Sequence, residues 1–229
     1  MPKVAVIKFP GTNCDYDVAW ALRVADGLEG EVVWYEDFRA SGWDAIVVPG
    51  GFSYGDYLRA GAIAARSKVM EKVADAVDEG VPVLGICNGF QVLVESGLLP
   101  GALLGNEPGS FVCRWVKLRV ERPKGPWMLL LKDGQELCMP VAHAEGRYFV
   151  DEATYSGRLT HSPLLRYLKG FNPNGSLHDI AGVASPNGLV FGLMPHPERA
   201  SEEVLVPRGY LPDGRLIFQS LATALRRGW

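Results

Sequence analysis

Cys87 is the residue whose setting in this sequence most directly suggests chemistry. It follows an apolar run and stands in Gly85-Ile86-Cys87-Asn88-Gly89, with a glycine two positions before it and another two positions after it. This spacing is typical of a nucleophile elbow, a sharp turn from a strand into a helix that presents its central side chain. The flanking glycines remove side chains that would collide in so tight a turn. Because the dipole of the following helix favours a thiolate, we predict that Cys87 is a nucleophile.

A thiol nucleophile needs a base, usually a histidine that a third group orients. Of the four histidines, His196 has the most informative setting, because it lies between two prolines in Pro195-His196-Pro197-Glu198. The prolines keep the backbone extended, and residues two apart in an extended chain face the same way. We therefore predict that Glu198 orients His196 and that His196 faces Cys87. No metal site is expected, because the spacing suggests no third ligand beside this pair.

A glycine-rich segment and the elbow itself are predicted to supply an oxyanion hole. The elbow offers the backbone N–H of Asn88, directly after the nucleophile. A second donor is expected from the loop that follows the apolar run Asp44–Pro49, and Gly51 is the best candidate there. A phosphate-binding loop is the alternative for this segment, but no lysine follows at the P-loop spacing.

Strands and helices are predicted to alternate through the first hundred residues. The runs Val4–Phe9, Glu31–Tyr35, Asp44–Pro49 and Val81–Ile86 are typical of buried strands, and Ala60–Val77 is typical of a helix. This alternation favours an α/β fold with a three-layer, doubly wound, mostly parallel sheet. Sites in such sheets lie at the carboxyl ends of strands, which is where both the glycine-rich loop and the elbow fall.

The second half of the chain is predicted to add antiparallel strands and a closing helix. Phe111–Val120 and Met139–Val150 alternate apolar and polar residues, and Ile180–Ala184 and Leu189–Met194 flank a turn sequence. Arg158–Gly175 is rich in proline, asparagine and glycine, which is typical of a long surface loop. Because no linker or repeat interrupts the sequence, residues 1–229 are predicted to form a single domain.

Composition and charge exclude several classes of function. Hydrophobic residues make up 48% of the chain and charged residues 21%, as is ordinary for a globular protein. The formal net charge of -3 and the absence of a basic run argue against nucleic-acid binding. The sequence has no apolar stretch that approaches the ~20 residues of a membrane helix and no secretory signal, so we expect a cytoplasmic protein. In that reducing compartment Cys14, Cys113 and Cys138 are expected to be packing residues.

Taken together, these motifs resemble those of the class I (triad) glutamine amidotransferases. The elbow, the glycine pair and His196-Pro197-Glu198 stand in that family's order. Within the family, the chain is most similar to the glutaminase subunits of phosphoribosylformylglycinamidine synthase, and the similarity spans nearly the whole sequence. The segments that carry it are Pro49–Ala62, Cys87–Gln91, Ala142–Arg147, Asn172–Ser176 and Met194–Arg199.

The resemblance implies a flavodoxin-like architecture and a glutaminase that converts L-glutamine to glutamate and ammonia through a thioester on Cys87. It also implies that Gln91, Phe52 and His143 lie near bound glutamine. For Gln91 a structural hydrogen-bonding role is the alternative. For His143 the alternatives are a place on a partner-binding face and a structural role on a strand. No cofactor is implied for this chain. ATP and magnesium are expected on a large synthetase subunit that aminates phosphoribosylformylglycinamide in purine biosynthesis, and a small third subunit is expected to assist assembly.

Two other functions are alternatives. The first is a stand-alone cysteine hydrolase of the related elbow fold, in which a histidine commonly follows the nucleophile; this chain has Asn88 there. The second is a non-catalytic regulatory subunit, which would be expected to have lost its nucleophile. The presence of Cys87, His196 and Glu198 together favours an enzyme over that second alternative.

Overall fold

A computed structural model of the protein describes residues 1–229, apart from the side chain of residue 26. Within that range the backbone forms eleven strands and six α-helices. The strands are β1 (Lys3–Lys8), β2 (Glu29–Trp34), β3 (Ala45–Val48), β4 (Val83–Ile86), β5 (Ala102–Leu104), β6 (Val112–Glu121), β7 (Glu136–His143), β8 (Arg147–Phe149), β9 (Leu164–Tyr167), β10 (Ile180–Ala184) and β11 (Val190–Leu193). The helices are α1 (Asp15–Asp26), α2 (Ala62–Ala65), α3 (Lys68–Asp78), α4 (Asn88–Glu95), α5 (Glu152–Gly157) and α6 (Arg215–Arg227).

Nine of these strands form one mixed sheet, in the order β2-β1-β3-β4-β11-β10-β9-β6-β7, and β5 pairs with β8 separately. The first five strands in that order run parallel to one another. The remaining strands are antiparallel to their neighbours. Every residue of β3, β4 and β11 is buried, as central parallel strands are when both faces of the sheet are covered. The predicted α/β class, with a parallel core and added antiparallel strands, is confirmed.

Amphipathic helices cover this sheet. In α3 the buried residues recur at helical spacing, and the opposite face is polar. In α6 the same pattern places a run of apolar side chains in the core. Full burial of each large apolar side chain contributes about 1.5–3 kcal/mol, so these faces stabilise the layered arrangement strongly. The buried apolar residues are Val69, Met70, Val73 and Ala76 in α3, and Ile217, Phe218, Leu221, Ala222 and Ala224 in α6.

The predicted helix Ala60–Val77 is interrupted and forms α2 and α3 instead. Between them Ser67 has an extended backbone, with φ of -75° and ψ of 148°. Its hydroxyl donates a hydrogen bond to the carbonyl of Ala64. A side-chain bond of this kind competes with the helical pattern of backbone bonds, which is why the helix stops and restarts at this serine.

The prediction of a surface loop over Arg158–Gly175 was wrong in its centre. Leu164–Tyr167 forms β9, which lies inside the large sheet between β10 and β6. Leu164 and Leu165 are fully buried there. The strand is only four residues long, contains Arg166 and is flanked by turn-forming residues, so its sequence alone does not indicate a strand. Its conformation depends on the two neighbouring strands with which it pairs.

Candidate active site

Cys87 lies in the sharp turn between β4 and α4. Its φ of 50° and ψ of -106° are strained for a residue with a side chain. The turn brings Gly89 so close to β3 that a Cβ there would lie 1.8 Å from the carbonyl oxygen of Val48. The thiol is almost fully buried, and Sγ lies 3.6 Å from the carbonyl oxygen of Ala142 on β7. The backbone at Cys87 therefore has the geometry of a nucleophile elbow.

His196 and Glu198 form a buried pair shortly after β11. The backbone of His196 is extended, and its N–H donates to the carbonyl of Pro140 on β7 at 2.8 Å. Nδ1 of the ring lies 2.6 Å from Oε1 of Glu198. Nε2 is buried and, among the residues that the structure describes, has no hydrogen-bond partner. That nitrogen is therefore available to a thiol or to a substrate.

The surroundings of His196 favour its protonated form. Burial alone lowers the pKa of His196, but the carboxylate of Glu198 and the nearby thiols of Cys87 and Cys14 outweigh burial and raise the pKa well above its ordinary value. A histidine held as an imidazolium beside a cysteine is an arrangement that cysteine nucleophiles use.

Three neighbouring parallel strands bring these groups together. The chain passes from β3 into Gly50 and Gly51, from β4 into Cys87, and from β11 towards His196, and β3, β4 and β11 are paired in that order. A cavity of about 280 Å³ lies at this edge of the sheet. It is lined by Asn13, Cys14, Gly51, Phe52, Cys87, Phe111, Cys113, Ala142, His196 and Arg199.

Gly51 and Asn88, the two predicted oxyanion-hole residues, lie on adjacent segments. Gly51 lines the cavity, and a Cβ there would lie 2.6 Å from the backbone nitrogen of Asn13. Asn88 begins α4, so its N–H belongs to the first helical turn, where backbone donors have no intrahelical acceptor. Its side chain accepts the N–H of Ser53 at 3.1 Å and donates to Gln91 at 2.9 Å. These bonds tie the loop after Gly51 to the elbow.

Of the three predicted substrate contacts, Phe52 is the one that lines the cavity. Its side chain is 47% exposed, and its ring lies 6.4 Å from that of Phe111 between centroids. Gln91 is buried, accepts from the amide of Asn88 and donates to the carbonyl of Glu145. Because both ends of its side chain are bonded within the protein, the structural alternative suits Gln91 better than substrate binding does.

His143 is also placed in a structural network. It is buried at the end of β7, where Nδ1 donates to Oδ1 of Asn106 at 3.1 Å and Nε2 accepts from Nδ2 of Asn174 at 3.4 Å. Burial, together with the positive charge of His196, lowers the pKa of His143 to about 4, although a backbone hydrogen bond opposes the change. His143 is therefore neutral near pH 7, and it is absent from the cavity lining.

Two of the three cysteines that are predicted to be packing residues line the cavity, one of them buried as predicted and the other exposed. They are Cys14 and Cys113; Cys138, by contrast, is buried away from it. Cys14 reaches the site because the backbone N–H groups of Asn13 and Cys14 both donate to the carbonyl of Gly50. No local sequence pattern predicts a contact between residues so far apart in the chain.

Arg199 is a further cavity residue that the sequence reasoning missed. Its Nη2 donates to Sγ of Cys14 at 3.2 Å, and its Nε lies 3.8 Å from Oε1 of Glu198. The spacing in the sequence could have indicated it, because Arg199 follows His196 by three residues. The 3₁₀ turn at Pro197–Ala200 then brings the two residues to the same side of the chain.

Cys14, His196 and Glu198 also offer three metal-ligand atoms that lie within 4.8 Å of one another. Spacing in the sequence did not suggest Cys14 as a third ligand. In the structure these groups are already bonded, since His196 pairs with Glu198 and Arg199 donates to Cys14. The positive charge of Arg199 also repels a cation at this position. That the site needs no metal stays a prediction.

Comparison with known proteins identifies the family. Residues 1–210 match the family of CobB/CobQ-like glutamine amidotransferase domains. Phosphoribosylformylglycinamidine synthase subunit PurQ of Methanosarcina acetivorans is 49% identical over 228 residues, which cover 96% of this chain and 97% of that protein. The chain belongs to the PurQ family. Its similarity to PurQ of Thermus thermophilus is 53% identity over 215 residues, covering 91% of this chain and 94% of that protein.

A solved structure has the same fold. A chain in the structure of PurLQS from Thermotoga maritima aligns with 98% of this chain and 99% of its own length, at 44% identity and a TM-score of 0.86. The resemblance to class I glutamine amidotransferases is therefore confirmed, as is the flavodoxin-like α/β class. Within the described part of the protein, none of the helices has the length and apolar character needed to cross a membrane.

Proposed function

We propose that the protein is the glutaminase subunit of phosphoribosylformylglycinamidine synthase, which hydrolyses L-glutamine to glutamate and supplies the ammonia. The observation that carries this proposal is the placement of the Cys87 elbow and the buried His196–Glu198 pair on one cavity, in a chain of the PurQ family. Residues 1–229 would act as a single glutamine amidotransferase domain.

The first half of the reaction forms a thioester. The thiolate of Cys87 attacks the side-chain amide carbon of glutamine, and the carbonyl electron pair moves to oxygen. The N–H groups of Gly51 and Asn88 are the proposed donors to this oxyanion. The imidazolium of His196 donates its Nε2 proton to the amide nitrogen, the C–N bond breaks, and ammonia leaves a γ-glutamyl thioester on Cys87. The unpaired Nε2 and the raised pKa of His196 support this assignment.

The second half of the reaction releases glutamate. His196, now neutral, accepts a proton from water at Nε2 while the hydroxyl oxygen bonds to the thioester carbon. The C–S bond then breaks, and Cys87 returns as the thiolate beside the imidazolium. Glu198 holds the ring through its 2.6 Å contact with Nδ1, which fixes the tautomer that acceptance at Nε2 requires.

The size and lining of the cavity suit a small substrate. Its volume of about 280 Å³ lies near the lower end of the range for small-molecule sites, roughly 300–1,000 Å³. The rings of Phe52 and Phe111 form an apolar part of its wall. This apolar surface suits the methylene groups of a glutamine side chain.

The ammonia is proposed to pass to a large synthetase subunit. That partner would use ATP and magnesium to aminate phosphoribosylformylglycinamide in purine biosynthesis, and a small third subunit would assist assembly. Support comes from the family and from the similarity to a chain of PurLQS from Thermotoga maritima. In this scheme the chain needs no cofactor of its own, acts in the cytoplasm, and binds neither nucleic acid nor membrane.

The proposal is tested by measuring glutamate release from L-glutamine, first with the purified chain and then with its synthetase subunits added. We expect low activity from the chain alone and activation by the partners. Cys87→Ala should lower glutamate release at least about 10³-fold, because the step that forms the thioester is lost. The Cys87→Ala complex should still make product from free ammonium.

The matched control is Cys138→Ala, which removes a buried thiol that lies outside the cavity. It should keep normal glutaminase activity. Normal glutamate release from Cys87→Ala would refute the thioester mechanism. Failure of the synthetase subunits to stimulate the wild-type chain would favour a stand-alone hydrolase over a subunit of the synthase.

A further inference from the structure

Arg199 gives the cavity a positive charge that the proposed reaction steps do not use. Among the described residues that line the cavity, it is the one with a permanent cationic side chain. The side chain is 39% exposed, so part of the guanidinium can reach a ligand. Removing a charge from water costs free energy, so an anionic ligand stabilises a guanidinium in a small, mostly apolar cavity more than it would in bulk water.

The guanidinium is held in place from two sides. Nη2 donates to Sγ of Cys14 at 3.2 Å, and Nε lies 3.8 Å from Oε1 of Glu198. The backbone N–H of Arg199 donates to the carbonyl of His196 at 3.3 Å, which fixes the turn that carries the side chain. Five N–H bonds are available on a guanidinium, so these contacts leave donors free. The group is therefore oriented before any ligand arrives.

The chemistry of glutamine matches this arrangement, and the match rests on the proposed function. A glutamine whose side-chain amide lies at Cys87 carries its α-carboxylate a few bonds away, inside or at the mouth of the same cavity. Arg199 and Cys87 line this same cavity. A planar guanidinium fork is well suited to a carboxylate, because two parallel N–H···O bonds can form.

We propose that Arg199 binds the α-carboxylate of the substrate glutamine, and that Cys14 is a positioning residue that holds the guanidinium for this contact. Arg199 thereby selects an amide that belongs to an α-amino acid over other primary amides. The competing explanation is that Arg199 only supports Glu198 and Cys14. Binding and support predict different kinetics, since a substrate-binding role acts on one class of substrate and a supporting role acts on all.

The test compares L-glutamine with 4-aminobutanamide, which is glutamine without its α-carboxylate, in the complex with the synthetase subunits. Arg199→Gln should raise KM for glutamine about 10- to 100-fold, as expected when a charge-assisted bidentate contact is lost, and change kcat by only a few-fold. For 4-aminobutanamide, KM, or the inhibition constant if it is not turned over, should stay the same. Arg199→Lys, which keeps the charge but not the fork, should lie between wild type and Arg199→Gln.

The role of Cys14 is tested by the pair Cys14→Ala and Cys14→Ser. Alanine removes the acceptor for Nη2 and should raise KM for glutamine about 3- to 10-fold. Serine restores an acceptor and should recover most of the affinity. Arg59→Gln is the matched control, because it removes an arginine whose ion pair with Glu95 lies outside the cavity. It should leave both substrates unaffected.

The outcomes separate this inference from the proposed function. If Arg199→Gln raised KM equally for both compounds, or lowered kcat at unchanged KM, Arg199 would be shown to support the catalytic groups. Either result would overturn the inference and leave the proposed glutaminase function standing. A wild-type complex that releases no glutamate from glutamine would overturn both. Thermal unfolding of each variant checks that a change in KM does not arise from a misfolded protein.

Discussion

Replacing Gly50 by alanine tests how the ring of His196 is held. Gly50 follows β3, and its carbonyl accepts the N–H of Asn13 at 3.2 Å and that of Cys14 at 3.1 Å. A Cβ at this position would lie 2.8 Å from Cε1 of His196 and 3.2 Å from Sγ of Cys14. Gly50 does not have a positive φ, so alanine adds no backbone strain and its effect is steric.

The expected size of the effect follows from these distances. Ordinary van der Waals contact begins near 3.4 Å, so the ring or the backbone must move by about 0.6 Å. The ring cannot move freely, because Nδ1 is bonded to Glu198 and the backbone of His196 is bonded to Pro140. Misplacement of a reacting group by 1 Å costs about 10²-fold in rate, so kcat should fall about 10- to 100-fold. Overpacking should also cost about 1–3 kcal/mol of folding free energy.

Glutamate release by the assembled complex measures kcat, and thermal unfolding measures the loss of stability. Gly105→Ala and Gly157→Ala are matched controls, because a Cβ at either position meets open space and neither glycine has a positive φ. Both controls should keep wild-type activity. A folded Gly50→Ala protein with wild-type kcat would refute the reasoning, since it would mean that the ring of His196 is not packed against Gly50 or that its position is not critical.

Two further predictions concern charge. Glu198→Gln removes the carboxylate that raises the pKa of His196, so the basic limb of kcat/KM against pH should move to lower pH and kcat should fall about 10³-fold; an unchanged pH profile would contradict the role of Glu198. His143→Gln should reduce the sensitivity of the fold to acid. Burial holds the pKa of His143 at about 4, below its ordinary value of 6.5. Its contribution to stability is therefore full above pH 6.5 and is lost, about 3 kcal/mol in all, as the pH falls through 6.5 and past 4. Denaturant unfolding between pH 7 and pH 4 should show a smaller loss for His143→Gln than for wild type, whereas the exposed-residue control His161→Gln should match wild type; equal losses in all three would rule out His143 as the source.

The parallel half of the sheet could be predicted from the sequence because its strands are continuous apolar runs. β3 and β4 are buried on both faces, and such strands leave a signal that does not depend on their neighbours. β9 leaves no such signal, since four residues between turn-forming segments fit several conformations. The break between α2 and α3 also escaped prediction, because it depends on the single hydroxyl of Ser67 within an otherwise helical pattern.

In the candidate site, too, features encoded by neighbouring residues could be predicted and long-range contacts could not. The geometry at Cys87 and the pairing of His196 with Glu198 are encoded within a few residues, by flanking glycines and by alternation in an extended segment. Cys14 lies in a loop that bonds to Gly50, and Arg199 lies in the turn after His196. The two residues meet only because the fold packs these distant segments together. Contacts of that kind follow from the tertiary fold, so a single sequence does not reveal them.

Gln91, which the motif predicted to contact substrate, instead belongs to a hydrogen-bond network within the protein. Asn88 bonds Ser53 and Gln91, and Gln91 in turn bonds the carbonyl of Glu145. Through these bonds the loop after Gly51, the elbow and the segment after β7 form one connected network. Acyl transfer requires the thiol, the ring and the oxyanion donors to stay within about 0.5 Å of their productive positions. Gln91 therefore joins the elbow to the segment after β7, and we expect its substitution to disturb catalysis by loosening the backbone that carries Cys87.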